Sequence, residues 1–124
     1  MKMRFKKSER LCAQKQIDEL FLKGETFFVY PLKLYAMPDE QKQILISVPK
    51  RMQKKAVDRN LIKRRIRESY RTQLSDFEID NSFRMALVYC SKKEESQEHI
   101  QKAVAGLLKQ LSDSNIKNSS SHAL

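Results

Sequence analysis

The chain has 124 residues, enough for one domain, with 40% apolar side chains to form a core and only two Gly and three Pro. Lys and Arg number 25 against 15 Asp and Glu, a formal charge of +10. That excess repels itself unless a polyanion is near, so nucleic acid, an acidic membrane surface or an acidic protein is the expected partner class. No apolar run approaches the ~20 residues needed to cross a bilayer.

Residues 1–10 read as a basic arm with no apolar stretch behind it, so no signal peptide and a cytoplasmic location are expected. Ala13, Ile17, Leu20 and Phe21 share one side of a helix predicted from about Cys12 to Lys23. Gly24 follows, where a left-handed helix cap needs no side chain. From Phe27 to Met37 the chain is aromatic and branched, and Leu32, Leu34 and Ala36 alternate with Lys33 and Tyr35. This predicts one strand, with Pro31 near its start or at an edge. Pro38 to Lys42 reads as a turn and Gln43 to Val48 as a second strand, the two strands forming a hairpin. A basic segment runs from Lys50 to Arg71, and a polar loop from Ser75 to Ser82. A third, mostly buried strand spans Phe83 to Cys90.

The last helix starts near Ser96, a good N-cap, and carries Ile100, Ala103, Val104, Leu107, Leu108 and Leu111 at helical spacing. The order helix, strand, strand, helix, strand, helix predicts a single α/β sandwich over residues 1–111, its sheet covered mainly on one face. Residues 112–124 are Ser- and Asn-rich and are expected to be a disordered tail.

The basic segment holds ten of the 25 Lys and Arg: Lys50, Arg51, Lys54, Lys55, Arg59, Lys63, Arg64, Arg65, Arg67 and Arg71. At ~100° per residue, Asn60, Lys63, Arg64, Arg67 and Arg71 fall on one helical face and Ile62, Ile66 and Tyr70 on the other. One side then packs on the sheet while the other presents cations and an amide. Guanidinium forks match phosphate oxygens, and an Asn suits sugar hydroxyls or base edges. Phe21, Phe27, Phe28, Tyr30 and Tyr35 are candidates for stacking on unpaired bases, core packing being the default for each and Tyr35 lying opposite the Leu32/Leu34 face.

No catalytic or metal-binding constellation is visible. His99 and His122 lack Cys or carboxylate neighbours at ligand spacing. Cys12 and Cys90 form no CxxC pair and read as reduced thiols.

The run Val48-Pro49-Lys50-Arg51, followed by Lys55-Ala56-Val57-Asp58-Arg59-Asn60-Leu61-Ile62-Lys63-Arg64-Arg65-Ile66-Arg67-Glu68, resembles the signature of the bacterial ribonuclease P protein family. One position departs: Leu61 stands where the family usually has Arg. The resemblance covers about residues 4–111 and implies an α/β sandwich with a left-handed βαβ crossover around the basic helix. It implies a protein that binds a large catalytic RNA and assists removal of the 5′ leader from precursor tRNA without itself cleaving. The hydrolysis would fall to Mg2+ held mainly by the RNA, with no ion bound by the protein. Carried over by position, the RNA contacts are Arg59, Asn60, Lys63, Arg64 and Arg67, joined by Lys50 and Arg51. Lys55, Arg65 and Arg71 complete the candidate surface, with Arg65 a partial substitute for the charge missing at Leu61. The cleft for the single-stranded leader maps to Phe21 and Tyr35, and to Ile17 where the family has an aromatic. The implied partners are ribonuclease P RNA and precursor tRNA, with no membrane and no obligate protein partner. A ribosome- or translation-associated RNA-binding protein would share the size, charge and α/β character. A protein-only nuclease would differ by cleaving without RNA.

Overall fold

The computed structural model describes residues 14–39, 43–73 and 83–114. Along them run α1 (Gln14–Lys23), β1 (Glu25–Val29), β2 (Leu32–Pro38), β3 (Gln43–Ser47), α2 (Ala56–Gln73), β4 (Phe83–Tyr89) and α3 (Gln97–Asp113). The strands form one sheet in the order β1-β2-β4-β3. Neighbours are antiparallel except β3 and β4, which are parallel.

The mixed α/β class is as expected, but the strand layout differs in two ways. The run from Phe27 to Met37 is two antiparallel strands rather than one, folded back at Tyr30 and Pro31 so that Val29 faces Leu32. Pro31 has no N–H for a ladder and suits the corner. Its carbonyl accepts a bond from the Cys90 N–H at 2.7 Å, which ties the corner to the end of β4. The expected hairpin between the second and third strands is also absent. β4 lies between them, paired with β2 along its whole length from Leu32↔Tyr89 to Pro38↔Phe83. β3 therefore joins β4 through α2 as a parallel crossover, which carries the basic helix across one face of the sheet.

Strand alternation sorts the side chains into two layers. Leu32, Leu34 and Ala36 of β2, Ile44 of β3, and Met85, Leu87 and Tyr89 of β4 form the main core. Ile62, Ile66 and Tyr70 of α2 and the apolar face of α3 close over them, as the helical spacing predicts. The other face is covered by the shorter α1, whose Leu20 meets Ala86 with Ile17, Tyr35, Met37 and Leu45 around them. Ser96 caps α3 as expected, its side chain accepting from the His99 N–H at 3.1 Å.

α3 runs through Asp113, into the stretch expected as tail. The arm 1–10, Cys12, the centre of the turn at 40–42, the loop 75–82, His122 and residues 115–124 lie outside the described residues.

Gly24 follows α1 for a different reason from the one expected. No glycine among the described residues has positive φ. A Cβ at Gly24 would instead lie 2.6 Å from the Leu20 carbonyl oxygen and 3.2 Å from that of Ala36. The missing side chain lets the end of α1 close against its own last turn and against β2. Gly24→Ala is therefore expected to destabilise the fold by about 1–3 kcal/mol, as forced overpacking does. Equilibrium urea unfolding checks this, and an unchanged midpoint would refute it.

One buried cation fixes α1 to the sheet. Arg84 of β4 is 7% exposed. Its Nε donates to Asp39 at 2.9 Å, and its Nη1 to Glu19 at 2.8 Å and to the Gln16 carbonyl at 3.3 Å. The hydrogen bond from Arg84 holds the Glu19 carboxyl below its ordinary range.

Candidate nucleic-acid interface

α2 is amphipathic in charge as well as in hydropathy. Asp58 in its first turn and Arg71 in its last both suit the helix dipole. Ile62, Ile66, Ser69 and Tyr70 are buried, whereas Asn60, Arg64 and Arg67 are exposed and Lys63 half-buried. The expected flank of Asn60, Lys63, Arg64 and Arg67 is thus formed. Lys63 and Arg64 make no ion pair among the described residues, so their charges are available to an anion.

Several of the expected RNA-contact cations have internal partners. Arg71 is on the right flank but pairs with Glu68 one turn back. Arg65 is half-buried between α2 and the segment before α3, donating to the Glu95 carbonyl at 2.7 Å and pairing with Glu94 at 3.2 Å. It is a tie between two elements and does not replace the charge missing at Leu61. Arg59 donates to the carbonyls of Gln53 at 3.0 Å and Lys54 at 2.9 Å. Its guanidinium folds the preceding loop onto the first turn of α2.

That loop brings further cations together. Pro49 opens it by accepting from the N–H groups of Met52 and Gln53. The buried Gln53 amide then donates to the carbonyls of Ser91 at 3.3 Å and Lys93 at 3.1 Å. The two loops at the C-terminal ends of the parallel strands are thereby joined. Between them Arg51, Lys54, Lys55 and Lys92 surround an open cavity of about 370 Å³, with Asp58 on its wall. Lys50 is exposed beside it.

Sequence reasoning missed Lys92 because it is remote in sequence and joins the cavity only through the Gln53 bridge. The loop holding Lys92 is itself braced. Burial pushes the Glu95 carboxyl up, but hydrogen bonds from His99, Tyr30 and Ser91 outweigh this and hold it below its ordinary range.

The second region is the outer sheet face beside α1. Phe21 and Tyr35 meet edge to face, with ring centroids 4.6 Å apart and planes at 84°. Ile17, one turn earlier on α1, is half-buried in the small core around Leu20 rather than presented beside the rings. The Lys33 ammonium lies 5.1 Å from the Tyr35 ring centroid. Lys33 was legible as a neighbour on that face, since it shares the period of two with Tyr35.

The molecule thus carries a cationic flank on α2, a basic loop between β3 and α2, and an aromatic pair on the opposite face of the sheet, beside α1. The sequence profile described as Ribonuclease P matches residues 5–112. The chain belongs to the ribonuclease P protein family. The match spans α1, α2, the whole sheet and α3 as far as Ser112, so both regions fall within the family domain. Ribonuclease P protein components from two strains of Porphyromonas gingivalis are 41% identical over 70 residues. Those alignments cover 52% of this chain and 51% of each relative, so the chain spans about half the length of the curated relatives it matches.

Among solved structures, the Staphylococcus aureus RNase P protein superposes with a TM-score of 0.73 at 21% identity, over 86% of this chain and 100% of that one. The RNase P protein from Thermotoga maritima gives 0.70 at 19% identity, over 82% and 96%. At such identities these likenesses establish the fold of the family member and not its contacts.

Among the described residues no helix is long and apolar enough to cross a membrane.

Proposed function

We propose that this chain is the protein subunit of ribonuclease P, which binds the catalytic RNA and the 5′ leader of precursor tRNA and assists endonucleolytic release of the mature 5′ end. The observation that carries this reading is the exposed cationic flank of α2, with Lys63 and Arg64 outside any ion pair among the described residues, contiguous with the basic loop before it, in a chain of this family. Exposed Arg64 and half-buried Lys63 meet phosphates of the RNA, and Asn60 beside them accepts or donates to a sugar or base edge. Arg51, Lys54, Lys55 and Lys92 hold a further phosphate group in their cavity. The Phe21–Tyr35 cleft takes an unpaired leader base, as aromatic platforms do.

No group of three or more His, Cys, Asp or Glu among the described residues could hold a metal ion. In this reading Mg2+ acts through the RNA subunit. What the protein supplies is fixed positive charge that lowers the counterion demand of the folded RNA.

Lys50, Arg51, Lys54, Lys55, Lys63 and Arg64 form no ion pair among the described residues. If these six neutralise phosphates, log affinity for the RNA falls against log salt with a slope of about −4 to −5. The test is reconstitution with the ribonuclease P RNA of the same source and a precursor tRNA, with binding measured across a salt series. No cleavage by the protein alone, and cleavage at the mature 5′ end that needs less Mg2+ when RNA and protein are combined than with RNA alone, together with that slope, is the expected result. A flat salt response, or co-purification with whole ribosomal subunits instead of one RNA, would refute the reading.

A further inference from the structure

The outer sheet face does not stop at Tyr35. The register of β1 against β2 sets Phe28 opposite Lys33 and Thr26 opposite Tyr35. Phe27 and Val29 of the same strand turn inward and pack on the main core, so Phe28 stands on the face that carries Lys33 and Tyr35. Phe28 is 55% exposed, against 39% for Phe21. α1 packs over Tyr35, Met37, Leu45 and Ala86, which leaves the Phe28 end of the face open. Lys33 lies in register between the two rings, one strand over from Phe28 and two residues before Tyr35. Diagonal neighbours of this kind have backbones ~7–8 Å apart, within reach of aromatic side chains.

The corner is also cationic. Burial pushes the Cys90 thiol up, while the charges of Lys33 and Arg51 act against that, so both cations lie within electrostatic reach of the end of β4. The open face is thus an aromatic surface edged by the Lys33 ammonium. Its complement is an unpaired, negatively charged strand carrying flat bases.

We propose that Phe28 is a second base-stacking position, next to the Phe21–Tyr35 cleft, and that Lys33 contacts the phosphate between the two bases. This rests on the reading of the chain as the leader-binding subunit of ribonuclease P. The face then grips two successive unpaired nucleotides. The outer base is held by stacking alone, with no hydrogen-bonding group at Phe28 to read its edge. Selectivity there follows stacking strength and favours a purine over a pyrimidine.

The test uses holoenzyme assembled from the full chain and its RNA, with precursor tRNAs of graded leader length and with single abasic sites scanned through the leader. Phe28→Ala should weaken binding of long-leader substrate by about 5- to 50-fold, the loss expected for one stacked base, and leave leaderless substrate unchanged. That loss should vanish when the abasic site stands at one leader position, adjacent to the position at which Tyr35→Ala becomes silent. Phe28→Trp should restore binding and Phe28→Leu should not, because leucine keeps apolar surface but offers no ring. Equal binding by wild type and Phe28→Ala for every leader, while Tyr35→Ala still loses affinity, would overturn the proposal and leave the functional reading intact. Self-association of the wild-type chain that disappears in Phe28→Ala would also overturn it, by assigning the ring to a second copy. Wild-type holoenzyme that binds long-leader and leaderless substrates alike would remove the functional reading and this proposal together.

Discussion

Arg64→Ala should weaken assembly with the catalytic RNA by about 10- to 100-fold, the equivalent of losing one hydrogen-bonded contact to a charged group. Arg64 is exposed on α2 and has no internal partner among the described residues. The opposite flank of the same helix supplies Ile62 and Ile66 to the core, so the substitution leaves packing untouched. The melting temperature of the free protein should stay where it is, because surface changes away from specific partners fall within about 0.5 kcal/mol. Removing one cation from a crowded row also relieves a little repulsion. Arg65→Ala, one residue on, should behave in the opposite way. It breaks the link to Glu94 and the Glu95 carbonyl, so a lower melting temperature precedes any loss of assembly. Filter binding and thermal melts of both variants decide the matter. Equal assembly defects without a stability difference would show that the two side chains share one role.

Arg84→Met should lower stability by about 2 kcal/mol, below the ~3–5 kcal/mol for breaking a fully buried charge pair, because Glu19 is partly exposed. Methionine keeps most of the volume, so the loss reports the ionic clamp rather than a cavity. The clamp also carries a pH signature. Glu19 titrates below its ordinary value when bonded to Arg84. Its contribution is complete above the unfolded carboxylate pKa and disappears as the pH falls through the lower folded value. The stability gap between wild type and Arg84→Met should therefore be constant near neutrality and narrow in the acid range. A gap that is independent of pH would refute the clamp. The same variant should impair leader-dependent binding, since the bonds to Gln16 and Glu19 hold the helix that carries Phe21.

Sequence periodicity located α2, α3 and the inward residues of β2 and β4, because burial alone sets which side chains alternate or recur every third and fourth position. It located the flank from Asn60 to Arg67 for the same reason. It failed where the outcome depends on a partner distant in sequence. The chain reversal at Tyr30 and Pro31 carries no Gly, Asn or Asp signal, so two strands read as one. The hairpin of consecutive strands was a reasonable local expectation, but β4 matches β2 over seven residues and takes the place between them. Arg84 sits in an otherwise apolar strand, and its burial is explained by Glu19, Asp39 and the Gln16 carbonyl, brought in from two other segments. Arg59 and Arg65 look like their basic neighbours in the sequence, and the backbone carbonyls of Gln53, Lys54 and Glu95 that accept from them leave no mark there, nor does the approach of Glu94 to Arg65 from 29 residues away.

The stitching of α2 has a bearing on how the chain meets its ligand. Gln97 of α3 donates to the Arg65 carbonyl at 3.1 Å and to Ser69 at 2.9 Å, while Gln73 reaches the Gln101 carbonyl at 2.8 Å. With Arg65 anchored at the far side, the helix cannot roll or slide without breaking several bonds at once. Its outward charges are consequently fixed in spacing before any encounter, so little disorder has to be frozen out on docking. A polyanion whose phosphates do not match that spacing gains only part of the attraction, and a rigid comb of this kind favours folded RNA over flexible polyphosphate of equal charge.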